Sequence, residues 1–219
     1  MFDSEYLLAQ VPALLRGLGM TLVVTAISIF LSMAIGLVGA AVRTQRVPVL
    51  GQLVVAYVEL VRNTPILVQI FFLFYGLPAV GMRMSLFWTG VVSLTLWGGA
   101  YQIENFRGGL AAIDRGLREA ALALNLRTLT FLRHVAVPVA LRVSLPSMVN
   151  TSISQLKNSS YLQAIGLAEL TFVALDRVAT DFRALEMFAA LGVIYVTLVF
   201  ALSAAAARLE QRLNRPYAT

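Results

Sequence analysis

The chain alternates between long apolar segments and short polar connections. Residues 17–42, 84–103 and 187–207 contain no charged residue, and each run reaches the roughly 20 apolar residues that cross a bilayer core. Two further apolar stretches carry a few charges, among them Arg142 in the later one. The pattern predicts an all-α integral membrane protein, a single domain over 1–219 with about five transmembrane helices at approximately 17–42, 49–76, 84–106, 135–156 and 187–207.

An amphipathic segment, "REAALALNLRTLTFLRHVAVP", interrupts this apolar pattern between the third and fourth predicted spans. Asn125 lies in its middle, and asparagine tolerates the left-handed conformation better than any residue except glycine. We therefore predict two short helices in residues 115–134 that break near Asn125 and end before Pro138. Such a segment can cover its own loop, lie in the membrane interface or dock a soluble partner. Its apolar positions recur at helical spacing and are Leu117, Ala120, Ala121 and Leu124, then Thr128, Phe131, Leu132 and Val135.

The composition agrees with a membrane protein and excludes several classes of function. Hydrophobic residues make up 59% of the 219 residues and charged residues 13%, against roughly 25% charged residues in soluble domains. The absence of cysteine excludes disulfides, thiol catalysis and thiolate metal sites. The net charge of +6 is spread along the connections rather than gathered in one patch, which argues against nucleic-acid binding.

The basic residues also predict the orientation of the chain in the membrane. Ten Lys and Arg residues lie in 43–48, 107–134 and the tail after 207, and five lie in the N-terminal segment, 77–85 and 157–186. Because cytoplasmic connections carry the excess of Lys and Arg, we predict an external N-terminus, a cytoplasmic C-terminus and a cytoplasmic 115–134 segment. The acidic flank and the length of the first apolar run argue against a cleaved signal peptide.

The second predicted span carries unusual polar residues for its depth. Glu59 and Arg62 are three residues apart and can pair on one helical face. Pro65 removes a backbone hydrogen bond and leaves carbonyl groups near residue 61 free to bond something else. Broken spans at membrane depth commonly line a cavity. The candidate pathway residues in this span are Glu59, Arg62, Asn63, Thr64 and Gln69.

A second polar run follows the fourth apolar stretch directly. Lys157, Asn158, Ser159 and Ser160 are consecutive and precede the apolar stretch "LQAIGLAEL". In a membrane such a run is typical of re-entrant structure or short helices that line a polar lumen, although a simple capping turn would also account for it. These four residues are the remaining candidates for a substrate pathway.

Several motifs together resemble one family. Glu119-Ala120-Ala121, a turn residue at Asn125, Phe131 and Pro138 are similar to the EAA signature of permease subunits of binding-protein-dependent ABC importers. The stretches "AYQIENFRGGLAAI", "LPSMVN" and "LKNSSYLQAIGLAEL" extend the resemblance, and "ELVRNTPILVQIFFLFYGLP" resembles the second span of the polar amino-acid branch. The resemblance covers roughly residues 15 to 210. The family usually has glycine at the position of Asn125.

The resemblance implies a coupling helix between spans 3 and 4 that docks in a cleft of a cytosolic ATPase. It implies a multi-pass subunit of the bacterial plasma (inner) membrane, surrounded by lipid, that carries a polar amino acid. The implied partners are a second permease subunit (the same chain or a paralogue), two ATPase subunits and a solute-binding protein that touches the 77–85 and 160–185 loops. Many relatives have aspartate where this chain has Asn158, which favours a neutral or acidic substrate over a cationic one. The implied coupling residues are Arg118, Glu119, Ala120, Ala121, Leu124, Asn125 and Arg127.

The sequence contains no signature of an enzyme. Its only lysine, Lys157, follows "SISQL" rather than the glycine-rich loop of a Walker A motif. ATP and Mg²⁺ would therefore be bound by the partner ATPase, with no cofactor and no metal on this chain. The alternatives are a secondary transporter or channel subunit without an ATPase partner, and a membrane scaffold. Five spans do not divide into equal repeats and few acidic residues lie deep in a span, which argues against a secondary transporter. A scaffold would need neither a broken second span nor a docking segment.

Overall fold

The fold is a bundle of helices, described by a computed structural model for residues 2–45 and 47–214. The third helix continues through a π turn at Phe72–Gly76 and a 3₁₀ turn at Leu77–Val80, a π turn at Leu132–Ala136 precedes the seventh, and a 3₁₀ helix at Ser159–Ile165 follows it. The helices are α1 (Ser4–Thr44), α2 (Leu50–Arg62), α3 (Ile66–Phe71), α4 (Leu86–Ala111), α5 (Arg115–Ala123), α6 (Thr128–Phe131), α7 (Val137–Asn158), α8 (Leu170–Asp181) and α9 (Ala184–Asn214).

The first helix is longer than the predicted first span. It begins at Ser4 because Asp3 caps it, its Oδ1 accepting a hydrogen bond from the Tyr6 amide at 3.0 Å. The same carboxylate lies 3.3 Å from the guanidinium of Arg183, next to the start of α9. The polar end of α1 is therefore joined to the connection between α8 and α9, and its apolar part continues directly from that end.

Length and composition identify two or three membrane spans in the described part of the chain. In the described part of the chain, α1 and α9 are each long and apolar enough to cross a membrane. The pair α2 and α3 adds a third span if the two helices, bent by 109°, cross together. The third and fourth predicted spans coincide with α4 and α7, which carry more polar residues. The total of five spans therefore stays a prediction.

Buried amide side chains join the three helices at the centre of the bundle. Gln155 of α7 donates from Nε2 to the carbonyl of Leu94 on α4 at 3.0 Å, and its Oε1 accepts from the Ser32 hydroxyl of α1 at 3.2 Å. Gln102 of α4 donates to the carbonyl of Met148 on α7 at 3.2 Å. Both glutamines are fully buried. Helices in lipid gain nothing from hiding apolar surface against each other, so packing and such hydrogen bonds hold them together.

A buried carboxylate joins α1, α8 and α9. Glu169 caps α8 by accepting a hydrogen bond from the Phe172 amide at 2.8 Å. Its other oxygen accepts from the hydroxyl groups of Thr21 at 3.4 Å and Tyr195 at 3.3 Å. Burial raises the pKa of the Glu169 carboxyl above its ordinary value. The contacts bring α1, α8 and α9 together at one point.

The second predicted span is broken at the proline, and a side chain bridges the break. Arg62 ends α2, Ile66 begins α3, and the Gln69 amide nitrogen donates to the carbonyl groups of Val61 and Thr64, both at 2.9 Å. The expectation that a carbonyl near residue 61 bonds something other than its own helix is confirmed. Because lipid offers no hydrogen bonds to exposed backbone, Gln69 stabilises the bent conformation.

Close packing of α1 on α4 predicts that Gly36→Ala destabilises the protein. A Cβ at Gly36 would lie 2.5 Å from the Cβ of Gln102, whereas a Cβ at Gly19 on the same helix would meet nothing within 4 Å. We expect Gly36→Ala to lower the free energy of unfolding by about 1–3 kcal/mol. We expect Gly19→Ala to leave it unchanged or raise it by up to about 1 kcal/mol. Thermal unfolding of both variants in detergent measures the difference, and equal midpoints would contradict this account of the packing.

Loss of the bridging amide should also destabilise the fold. Gln69→Leu leaves two carbonyl groups at the break without a donor, and each buried unsatisfied group costs about 1–3 kcal/mol. Gln52→Leu on the exposed face of α2 is the matched control and should change stability by less than about 0.5 kcal/mol. Circular dichroism during heating compares the two. A Gln69→Leu variant as stable as the control would show that the break does not depend on this side chain.

Candidate functional site

A polar cavity of about 380 Å³ lies between α4 and α7. Two of the residues predicted for a substrate pathway, Lys157 and Asn158, form one end of it. Its wall consists of aromatic, amide, hydroxyl and ammonium groups rather than aliphatic side chains. The lining residues are Trp97, Tyr101, Asn150, Thr151, Ser154, Lys157 and Asn158.

A cation from the broken span reaches the aromatic wall of this cavity. The guanidinium carbon of Arg62 lies 5.2 Å from the centre of the Tyr101 ring, which is within cation–π range. Trp97 packs against the same ring, with its ring centre 4.4 Å from that of Tyr101. Of the described residues that line the cavity, none is acidic. Positive charge therefore lies in the lining, at Lys157, and beside the aromatic wall, at Arg62.

A band of amide and hydroxyl groups continues from the cavity along the α4–α7 contact. Asn105 donates to the Gln102 side-chain oxygen and to the Thr151 hydroxyl, both at 2.9 Å. Thr151 in turn donates to the carbonyl of Ser147 at 3.1 Å. These polar groups satisfy one another inside the bundle and hold the wall of the cavity in place.

Two other predicted residues of the second span, Asn63 and Thr64, donate hydrogen bonds to residues of the last turn of α2. Asn63 donates to the backbone carbonyl of Glu59 at 2.8 Å and to its carboxylate at 3.1 Å. The Thr64 hydroxyl donates to the carbonyl of Leu60 at 2.7 Å. Together with Gln69, these side chains complete the end of α2, whereas only Arg62 of this group reaches the cavity wall.

The run Lys157–Ser160 divides into two pairs. Lys157 and Asn158 line the cavity. The hydroxyl group of Ser159 donates to the carbonyl of Leu156 at 2.7 Å, and that of Ser160 to the carbonyl of Lys157 at 2.8 Å. The two serines therefore form a capping turn, which the sequence had left as one alternative, and the lysine and asparagine form part of the cavity wall.

Five lining residues were missed by the sequence reasoning. Asn150, Thr151 and Ser154 precede Lys157 and Asn158 at spacings of three and four residues, so they form a polar stripe along α7. That stripe was visible in the sequence and could have identified them. Trp97 and Tyr101 carry no comparable signal, because aromatic residues four apart in an apolar span are usual in a helix core.

The predicted coupling segment has the expected break at Asn125. Asp114 caps α5, its Oδ1 accepting from the Gly116 amide at 3.1 Å. Asn125 has a positive φ of 49°, and the Leu126 amide donates to the carbonyl of Ala121 at 3.0 Å. This hydrogen bond across a left-handed residue is the usual way in which a helix ends.

Most of the predicted coupling residues are accessible. Of those whose side chains are described, Ala121 is buried, whereas Glu119, Ala120, Leu124, Asn125 and Arg127 are exposed. The side chain of Arg118 lies outside the described residues. Leu122 and Leu124 are 76% and 72% exposed, so the end of α5 presents two leucine side chains that the described part of the chain leaves uncovered. Arg115 Nε lies 3.1 Å from the Glu119 carboxylate.

The prediction that the second helix of this segment ends before Pro138 is wrong. Helical backbone continues from α6 through the π turn at Leu132–Ala136 and into α7. The ring of Pro138 would clash with the carbonyl of residue 134 in a regular α-helix. The wider π turn falls at this place and relieves the clash. Residues 128–158 are therefore one continuous helical rod that runs from the coupling segment to the cavity.

The acidic and histidine side chains of the described residues do not gather into a cluster that could hold a metal ion. Within residues 2–45 and 47–214, no three His, Asp or Glu side chains converge as a metal site would require. His134 lies on the exposed side of the rod, with Nδ1 3.1 Å from the carbonyl oxygen of Thr130. The polar groups of the cavity can bind and orient a small polar molecule.

Comparison with known families and proteins identifies the chain. Residues 32–215 match the family described as binding-protein-dependent transport system inner membrane component. A probable amino-acid ABC transporter permease protein, PatM of Vibrio harveyi, is 36% identical over 99% of this chain and 98% of its own length. The glutamine transport system permease protein GlnP of Escherichia coli K12 is 35% identical over 97% and 98%.

Solved structures agree with this assignment. The crystal structure of an amino acid ABC transporter with histidines superposes with a TM-score of 0.90 at 30% identity, covering 97% of this chain and 99% of that one. A subunit of the MetNI methionine ABC transporter, in an inward facing conformation, shares the fold with a TM-score of 0.79 at 23% identity over 94% and 98%.

These similarities confirm the resemblance to ABC importer permeases and set aside the secondary transporter, channel and scaffold alternatives. Subunits of this family transport rather than catalyse, and their ATPase is a separate subunit. The chain thus belongs to the family of binding-protein-dependent transport system inner membrane components.

Proposed function

We propose that this chain, paired with a second permease subunit, forms the pathway of an ATP-driven importer of polar amino acids in the bacterial inner membrane. The observation that carries the proposal is the polar cavity between α4 and α7, where Lys157 and Asn158 lie in the lining and Arg62 lies on the ring of Tyr101. The amino-acid permeases among its relatives support the substrate class. The second permease is a copy of this chain or a paralogue.

The energy comes from two cytosolic ATPase subunits that bind ATP and Mg²⁺. They dock on residues 115–134, where the exposed leucines of α5 supply an apolar contact and Glu119 a charge. This requires the N-terminus to lie outside and the C-terminus in the cytoplasm, as the distribution of basic residues favours. A solute-binding protein delivers the substrate at the outer face, on the 77–85 and 160–185 loops.

The substrate is a neutral or acidic amino acid. Its carboxylate suits the positive charge that Arg62 and Lys157 bring to the cavity, and its amino group can donate to the side-chain oxygens of Asn150 and Asn158. A cationic side chain would find no acidic partner among the described lining residues. Glu59, Asn63, Thr64 and Gln69 shape the break beside the pathway, and Ser159 and Ser160 complete the end of α7.

Transport follows from rigid motion of the docked helices. Closure of the ATPases on ATP moves the two coupling segments together and opens the pathway outward, and release after hydrolysis restores the inward-facing state.

Reconstitution tests the whole proposal. The chain is purified together with the subunits that accompany it and inserted in liposomes. ATP is enclosed inside the liposomes, and binding protein and labelled amino acid are added outside. Uptake that needs ATP supports it, and recovery of the chain without any ATPase under conditions that preserve such complexes would refute it.

Reversal of one charge on α5 should uncouple transport. Glu119→Arg places a positive charge where we expect a cationic partner group, and like charges at an interface cost several kcal/mol. Uptake should fall by about tenfold or more while the variant inserts in the membrane at the normal level. Gln211→Arg is the control, because it adds a positive charge at an exposed position of α9 outside residues 115–134, and it should leave uptake unchanged. Undiminished uptake by Glu119→Arg would contradict the assignment of residues 115–134 as the coupling segment.

A new negative charge in the cavity should change the substrate preference. Asn158→Asp should raise the ratio of lysine to glutamine uptake about tenfold, because a carboxylate near a cationic side chain favours it by on the order of 1–2 kcal/mol. Competition between the two labelled amino acids in liposomes measures this ratio. Gln211→Glu, at an exposed position in α9, adds the same charge far from the cavity and should leave the ratio unchanged. The same ratio for both variants would place the substrate elsewhere.

A further inference from the structure

A second cavity has an almost entirely apolar lining, in contrast to the polar cavity between α4 and α7. It is a groove of about 540 Å³ between α1 and α7, with α4 as its floor. Of the described residues that line it, only Thr44 and Gln45 are polar, and both lie at one end. Its walls include Leu37 and Leu141, which are 57% and 40% exposed. The groove is therefore an open apolar channel with a polar mouth.

The length of the groove matches one leaflet of a bilayer. Its lining runs along α1 from Phe30 to Thr44, and fourteen residues of helix extend about 21 Å. Half of a bilayer including its headgroup region is also roughly 20–22 Å thick. The polar mouth lies at the C-terminal end of α1, so it falls at headgroup depth when the apolar part lies in the hydrocarbon.

The groove faces away from the proposed pathway. Tyr101 of α4 lines the polar cavity, whereas Phe106 and Leu110 of the same helix line the groove. These two residues lie about 140° and 180° around the helix from Tyr101, at about 100° per residue. A subunit that shares a pathway with a partner on the Tyr101 side therefore turns this groove toward the surrounding lipid.

Positive charge lies beside the polar mouth. Val137 and Leu141 line the groove, and Arg133 precedes them by four and eight residues on the same continuous rod. Residues four apart lie on one face of a helix, and side chains lean toward the N-terminus of their helix. Arg133 is exposed, as is the neighbouring His134. Basic side chains next to pockets between transmembrane helices are typical of binding sites for anionic lipid headgroups.

We propose that this groove binds one anionic phospholipid, with an acyl chain between α1 and α7 and the phosphate at Arg133, Thr44 and Gln45. The lipid belongs to the leaflet at the C-terminal end of α1, which is the cytoplasmic leaflet in the orientation proposed above. It replaces the missing packing between α1 and α7 beside the base of the rod. The site is separate from the polar cavity and does not require the substrate to be correctly assigned.

Native mass spectrometry of the detergent-purified importer tests the site with defined lipids. The wild-type complex should retain dioleoylphosphatidylglycerol in preference to dioleoylphosphatidylcholine, and Arg133→Gln should weaken that preference about fivefold. Arg208→Gln, an exposed arginine of α9, is the control and should leave it unchanged. Ala34→Phe fills the groove and should abolish the retained lipid, whereas Ala26→Phe, exposed on α1 outside the groove, should not.

Three results would overturn the proposal. The first is equal retention of the two lipids by the wild type, and the second is retention that Ala34→Phe does not reduce. The third uses the absence of native cysteine: Leu37→Cys should form no disulfide-linked dimer under oxidation in membranes, and a disulfide-linked pair of copies would show that a second copy covers the groove. None of these readouts depends on uptake, so failure of the lipid site and failure of the transport proposal are distinguishable.

Discussion

Two hydrogen bonds from one amide nitrogen make the broken second span possible. Pro65 deprives the backbone of a donor at membrane depth, where water cannot replace it. Gln69 supplies that donor to the carbonyl groups of Val61 and Thr64. With the break stabilised, α2 ends at Arg62, and its guanidinium lies over the ring of Tyr101. The position of the cation at the polar cavity thus depends on a side chain that does not itself line the cavity.

Several buried polar groups elsewhere in the bundle are likewise paired within the protein. The glutamines at the α1–α4–α7 contact and the carboxylate of Glu169 all have their partners on other helices. These hydrogen bonds fix the helices against one another where apolar burial alone would leave them free to slide.

Much of this arrangement was predictable from the sequence, because apolar length, proline and charge each leave a local signal. The helical class, the break at Pro65, the freed carbonyl at residue 61 and the turn at Asn125 all followed from properties of single residues. Tyr101 and Trp97 did not, since their role depends on which side of α4 faces α2 and α7. The continuation of the rod past Pro138 was also missed, because a π turn that relieves a proline clash has no sequence pattern of its own. Local chemistry was visible in the chain, whereas juxtaposition of distant helices was not.

The continuous rod from Thr128 to Asn158 joins the coupling segment to the cavity without any intermediate element. Thirty residues of helix extend about 45 Å, so a tilt of about 5° at one end displaces the other by about 4 Å, more than the length of a hydrogen bond. In the docking proposed above, a partner that tilts the base of this helix changes the distance between Lys157 and the groups across the cavity from it. Motion is then transmitted along a single helix rather than through successive side-chain contacts. Pro146 is the position at which this helix can bend.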